Sequence, residues 1–206
     1  MGAVVVSAFA PFFGIEEPLK VTHLLFINLV MDSLGAIMLG NEPALPKYMK
    51  EKPRRRDESI VSKKMMEQIV IMGGWLTIVS FLYLKLPFFR NMFGVGEAYN
   101  EAQHLTGYFV LFIVSALFNG FNVRDDGFGI FKGLNENPGF MKVFLVIILV
   151  QAAIVNAALI PFPLFQWIGN MFSCVPFPIQ GWAAVILLAA TMVPVDLIRK
   201  SIVGTK

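Results

Sequence analysis

FINLVMDSLGAIMLGNEPA, residues 26–44, sets a carboxamide and a carboxylate inside an otherwise apolar run. Asn28 and Asp32 stand four residues apart. On an α-helix that spacing puts both side chains on one face. A carboxylate turned to lipid is costly, so it faces protein, a proton or a cation. An anionic oxygen beside a neutral carbonyl oxygen suits a hard cation such as calcium, which takes about six to eight oxygens. Two side chains are too few for that ion. Backbone carbonyls, waters and neighbouring helices would supply the others. Two other uses of the pair stay open: tying helices together and relaying protons through Asp32. Gly35 and Gly40 follow. Glycine there lets the helix unwind, which frees carbonyl oxygens, or lets a second helix approach.

The surrounding chain has 206 residues, 56% hydrophobic and 15% charged, with 20 Phe and 11 Met against 14 Asp and Glu. A soluble domain carries about a quarter charged residues, so this balance points to lipid. Crossing a bilayer takes about 20 apolar residues in a helix. Stretches 21–40, 66–86, 105–123, 141–161 and 181–198 meet or approach that length. The apolar run to Gly14 is a sixth, too short to cross alone; it reads as part of a spanning helix whose beginning is absent. It has no charged n-region and does not read as a secretory signal. Backbone groups in lipid must pair within their own segment, which demands helices. The runs are too long for the ten-residue alternation of a membrane barrel. The expected fold is all-α, a polytopic membrane helical bundle with five full spanning helices and a partial N-terminal one.

Charge orders the topology. Of the 17 basic residues, all but Lys20, Lys85 and Arg90 fall in 47–64, in 124–142 or in the tail from Arg199. Those three regions share one side if each intervening pair of helices is a hairpin. The positive-inside bias then makes the loops and the C-terminus cytoplasmic. The loop 41–64 carries prolines 43, 46 and 53, which break any long helix, and the run PRRRDE. Such a run anchors topology against anionic lipid or docks a soluble domain. No aromatics interleave its arginines, so nucleic acid is not the expected partner. The single cysteine, Cys174, permits no internal disulfide and no multi-cysteine metal site.

Other polar residues in the spans invite plainer readings. Asn119 and Asn122 read as caps or interhelix bonds, although Asn119 can also face the Asp32 region. Gln151 and Asn156 read as helix glue. Asp196 reads as a local ion pair with Arg199, and Pro194 as a kink. His23 and His104 fall near the outer surface without partners at metal spacing. Trp167 and Trp182 fit an aromatic belt, and Trp75 fits the core. Gly73 and Gly74 allow a close helix contact or a bend. No P-loop, GxSxG or dinucleotide fingerprint occurs.

PLKVTHLLFINLVMDSLGAIMLGNEPA followed by MKEKPRRRDESIVSKKMM resembles the sixth membrane helix and next cytoplasmic loop of P-type cation-transporting ATPases, within them the calcium-transporting branch of plasma-membrane pattern. The matching positions are Asn28, Asp32, Ala36, Glu42, Pro43 and Ile60-Val61-Ser62. The resemblance implies that residues 1–206 are the C-terminal transmembrane transport domain of such a pump, from the end of its fifth helix to its tenth. It implies that Asn28 and Asp32 are metal ligands for a transported cation, with calcium favoured. It also implies a multi-pass protein of the plasma membrane, with membrane lipid and the missing N-terminal pump domains and helices as partners. ATP and magnesium would belong to the parent protein alone, because no DKTGT motif, nucleotide domain or actuator domain occurs in these residues. Met31, Ala116 and Ala3 stand where two-site pumps carry oxygen ligands, which favours a single ion site. A non-catalytic membrane scaffold that keeps the pump fold is the alternative; an independent channel or antiporter is a third reading.

Overall fold

The computed structural model describes residues 2–15, 17–40, 42, 61–124, 127–130 and 134–203. Most of the basic loop 41–64 therefore lies outside the described residues, Pro43 and Ile60 included. Among the described residues the structure is helical without strands. Helix α1, Gly2–Phe9, continues as a 3₁₀ turn, Ala10–Phe13, and stops at Gly14 in the left-handed region (φ 73°). Helices α2, Val21–Phe26, and α3, Asp32–Gly40, form one span joined by the π turn Ile27–Met31. Next come α4, Lys63–Lys85, the short α5, Pro87–Asn91, α6, Glu101–Arg124, and α7, Pro138–Val155. Helix α8, Pro163–Phe172, precedes α9, Ile179–Ala190, and α10, Met192–Val203, which share the last span.

Five segments are long and apolar enough to cross a membrane, and they coincide with the five expected stretches. The N-terminal ends of α4, α6 and α7 reach further than the apolar runs suggest, whereas α7 stops at Val155, six residues short of the expected 161. Ser62 caps α4 by accepting from the Met65 N–H at 3.2 Å, and Asn137 caps α7 by accepting from the Phe140 N–H at 3.0 Å. The Ser62 cap draws Lys63 and Lys64 into α4 against the dipole, while Glu101 and Arg124 stand at the ends of α6 that the dipole favours for their charges. The last span breaks at Thr191, three residues before Pro194, whose ring lacks the N–H that would bond Ala190. Helix α4 runs unbroken through Gly73 and Gly74, and a Cβ on Gly74 would meet nothing within 4 Å. The close helix contact that Gly73 and Gly74 allow is thus not made at Gly74 among the described residues.

Helix α6 is the post around which the rest is assembled. Its sequence, LTGYFVLFIVSALF, is apolar on every face, the pattern of a helix enclosed by others. In the best apolar window of α6, 78% of residues are buried, against 22–28% in the other spans. It packs against α4, α9, α10, α7 and α3. Gly107 admits the Tyr83 hydroxyl and the Phe177 ring where a side chain would stand. Tyr83 and His104 then bond reciprocally across α4 and α6. The Tyr83 hydroxyl donates to the His104 carbonyl at 3.2 Å, and His104 Nε2–H donates to the Tyr83 carbonyl at 3.1 Å. His104 Nδ1 accepts from the Tyr99 hydroxyl at 2.7 Å.

His23 is fixed at the same end. Its Nε2–H donates to the Phe172 carbonyl at 2.6 Å, its Nδ1 accepts from the Lys20 N–H at 3.2 Å, and its ring stacks on Phe109 at 4.1 Å. Both histidines are buried staples between separate pieces of the chain. A neutral imidazole offers one donor and one acceptor, and each ring uses both. Trp75, half-buried, also makes a link, donating from Nε1 to Thr191 Oγ1 at 3.0 Å across α4 and the α9–α10 break. Trp167 is 60% exposed, as a belt residue would be.

Two outcomes follow from this packing. Gly107→Ala would set a Cβ 2.6 Å from the Phe177 ring; the overpacking should lower stability by about 1–3 kcal/mol, read as an earlier unfolding midpoint in detergent. Cys174 is buried in the connection 173–178, which pushes its thiol up to about 12 despite opposing contributions from Thr106 and Lys20. The thiolate, the reactive form, is then about one part in 10⁴ at pH 8. Maleimide labelling of the folded protein should stay slow through pH 9 and become fast on unfolding.

Candidate intramembrane cation site

The span carrying Asn28 and Asp32 departs from α geometry between them. The Asp32 N–H donates to the Ile27 carbonyl five residues back, closing the π turn Ile27–Met31. Such turns are rare and collect at functional sites, because they disturb the i→i−4 ladder and present backbone carbonyls differently. The departure from regular helix thus lies before Asp32. At Gly35 the helix continues, and a Cβ there would meet nothing within 4 Å. The Ser33 hydroxyl bonds back to the Leu29 carbonyl, a habit that bends helices and competes with the ladder.

Asp32 lines a cleft of about 430 Å³ between α3, α6 and α7. Gly35, Ala36, Ala116, Asn119 and Gly120 line it too, with Phe112, Leu117 and Ile147 making an apolar wall. The structure therefore brings Asp32 and Asn119 to one opening. Asn28 is exposed and does not line that cleft. Asp32 is exposed as well; within these residues its carboxylate has an open side. Of the three positions lacking an oxygen ligand, Met31 and Ala116 line the cleft, whereas Ala3 is half-buried on α1, which packs against α4.

Asn119 has a second contact. Its Oδ1 faces Asn122 Nδ2 at 3.4 Å, and Asn122 Nδ2 donates to the Met192 carbonyl at 3.0 Å. The interhelix bond expected of this pair thus belongs to Asn122, and Asn119 is left at the cleft. Asp196 is fully buried, with Arg199 Nε at 2.7 Å as expected and Lys200 Nζ at 2.9 Å besides. Lys200 also donates to the Asn122 carbonyl at 3.0 Å. This last link joins residues 78 positions apart, a separation that local spacing does not reveal. Gln151 and Asn156 do not act as helix glue. Asn156 donates to Ala152 one turn back in its own chain, and the buried Gln151 amide has no partner among the described residues.

A half-buried pocket at the far end holds Lys85, Arg90 and Tyr99, with the Arg90 guanidinium 4.5 Å above the Tyr99 ring. Burial pushes the Tyr99 phenol above its ordinary value, and Arg90 opposes the rise. That end carries no intramembrane carboxylate among its lining residues, so the Asp32 cleft is the stronger candidate for a cation.

A bundle of five apolar spans that opens a carboxylate into an internal cleft has the layout of a membrane transport domain. The chain belongs to the family described as cation transporting ATPase, C-terminus, whose model matches residues 16–202. It is 28% identical over 204 residues to the rice plasma membrane-type calcium-transporting ATPase 5, covering 98% of this chain and 18% of that protein. It is 28% identical over 196 residues to the plasma membrane calcium-transporting ATPase mca-1 of Caenorhabditis elegans, covering 91% and 14%. Against human plasma membrane calcium-transporting ATPase 3 the figures are 27% over 188 residues, 87% and 14%. The chain thus spans 14–18% of the length of these relatives.

The buried Asp196 cluster contributes no residue to the cleft lining, so its loss should act chiefly on stability. Asp196→Ala leaves Arg199 and Lys200 without their carboxylate and should cost about 3–5 kcal/mol. The check is an unfolding midpoint measured beside calcium affinity in the same preparation, with the first falling and the second holding.

Proposed function

We propose that this region is the C-terminal membrane part of an ATP-driven calcium pump, and that Asp32 and Asn28 belong to the ligand set of the transported ion. The observation that carries the reading is the placement of Asp32, the intramembrane carboxylate of a family member, at the mouth of the cleft between α3, α6 and α7. A carboxylate oxygen, an amide oxygen and carbonyls loosened by the π turn are hard donors, the kind calcium takes. The open side of Asp32 would receive helices from the rest of the pump. Ala116 and Met31 add no oxygen to the cleft, which supports one ion site in place of two.

In this reading the chain has no chemical step of its own. Phosphoryl transfer takes place in domains outside these 206 residues, and ATP and magnesium act there. The region's task is to hold the ion and to change its affinity when those domains turn. The basic loop 41–64 and the C-terminus are cytoplasmic, by the positive-inside bias, and the loop stands beneath the phosphorylated domain. Lipid surrounds the exposed apolar faces. The plasma membrane is the expected location, as it is for the plasma membrane calcium-transporting ATPases that the chain resembles.

Asp32→Asn in the complete pump should abolish high-affinity calcium uptake and leave phosphorylation by inorganic phosphate intact. Normal uptake by that variant would remove Asp32 from the ligand set and return it to a structural role. ATP hydrolysis compared under calcium, manganese and sodium should be stimulated most by calcium; no stimulation by any cation would favour the non-catalytic scaffold.

A further inference from the structure

At the end of α3 a second pair of charged groups stands where the ion-binding span leaves the bundle. Arg124, the last residue of α6, donates from Nε and Nη2 to the two carboxylate oxygens of Glu42, the latter at 3.2 Å. Its side chain is 4% exposed and that of Glu42 24%. The guanidinium also donates to the Ile130 carbonyl at 3.3 Å and lies 4.7 Å above the Phe140 ring, itself fully buried at the start of α7. Arg124 thus joins four pieces of chain: the exit of α3, the end of α6, the segment 127–130 and the first turn of α7.

The geometry points to a positioning role. We propose that the Glu42–Arg124 pair is a latch that sets the axial place of Asp32 in its cleft, and so tunes cation affinity without touching the ion. The proposal rests on the reading of Asp32 given above. Three physical arguments support it. A two-pronged guanidinium–carboxylate bond fixes direction as well as distance, which an ammonium cannot do. A buried ion pair adds little net stability over a well-packed apolar pair, and its best-attested use is to fix register. Glu42 lies ten residues beyond Asp32 and two beyond Gly40, the end of α3, and its N–H donates to the Leu39 carbonyl at 3.1 Å. A helix held at its exit cannot slide or turn against α6 and α7 without breaking the pair. Between Glu42 and the His23 staple, the span's other polar fixture, lies the π turn, where the pitch can give.

The test uses the complete pump with Glu42→Gln, Arg124→Gln, Arg124→Lys and the exchange Glu42→Arg/Arg124→Glu. Each single neutral variant should weaken apparent calcium affinity roughly 2- to 30-fold, the range for mutations that modulate coupling without touching the ligand. The maximal rate at saturating calcium should be kept. Arg124→Lys, which keeps the charge and loses the fork, should fall between wild type and Arg124→Gln, and the exchange should recover part of the loss. Unchanged affinity in Arg124→Lys and in Glu42→Gln would overturn the latch. So would a fall in maximal rate with affinity unchanged. Asp32→Asn is run alongside: if that variant keeps normal uptake, the ion-site reading fails, whereas a loss in Asp32→Asn with none in the Glu42 and Arg124 variants sinks the latch alone.

Discussion

Enclosure of α6 on nearly all sides governs the rest of the bundle. Between helices in lipid there is no hydrophobic drive of the aqueous kind, so close packing and interhelical hydrogen bonds carry association. Helix α6 supplies both. Gly107 and Gly120 admit side chains from Tyr83, Phe177 and Met38, and its ends carry the polar clamps. At one end His104 exchanges bonds with Tyr83; at the other Asn122 holds Met192 and Lys200 while Arg124 holds Glu42. A helix clamped at both ends keeps its register against its neighbours. The uncovered part of α6 follows from that register. Phe112, Ala116, Asn119 and Val123 recur at helical spacing and all line the cleft shared with Asp32. One stripe of the central helix is thus left to line the cleft, while its other faces meet protein.

The broad architecture was legible in the sequence because lipid imposes it. Long apolar runs must be helices, and the runs at 21–40 and 105–123 became spans almost as they stand. The ion-pair reading of Asp196 was legible too, since Arg199 lies one turn away. The harder features depend on contacts far apart in the chain. Nothing near His23 announces the Phe172 carbonyl 149 residues on, and nothing near Arg124 announces Glu42. Gln151 and Asn156 misled for the opposite reason: an amide in a span suggests a partner helix, but Asn156 found a carbonyl in its own turn and Gln151 found no partner among the described residues. For Glu42 and Arg124 the available signal was weak but real. A lone carboxylate ending one apolar run and a lone guanidinium ending another, on the same predicted side, need not stay apart.

The π turn is the part of the site that no residue pattern foretells. Its sequence, INLVM, holds no glycine or proline. It lies between fixed ends and beside a fixed face. The span is stapled at His23, pressed against α7 along α3, and closed at Glu42 by the bidentate pair. The number of residues between those anchors must fit the distance between them. A π turn takes up one extra residue per turn of helix. Converting it to α geometry would rotate all that follows by about 100°, the angle of one residue.

That rotation gives the widened turn and the Glu42–Arg124 pair a common logic. If α3 turned by one residue while α6 stayed in place, Asp32 would leave the face it shares with Asn119, and Glu42 would leave Arg124. Asp32 opens α3 and Glu42 lies two residues past its end at Gly40, with its N–H on the Leu39 carbonyl at 3.1 Å, so a turn of α3 would bear on both. In the latch proposed above, the cleft carboxylate and the end-pair carboxylate would be coupled through helix geometry, with no side-chain wire between them. Only α3 needs to move in such a step, and α6, clamped at both ends and buried along its length, supplies the fixed frame against which the movement is registered.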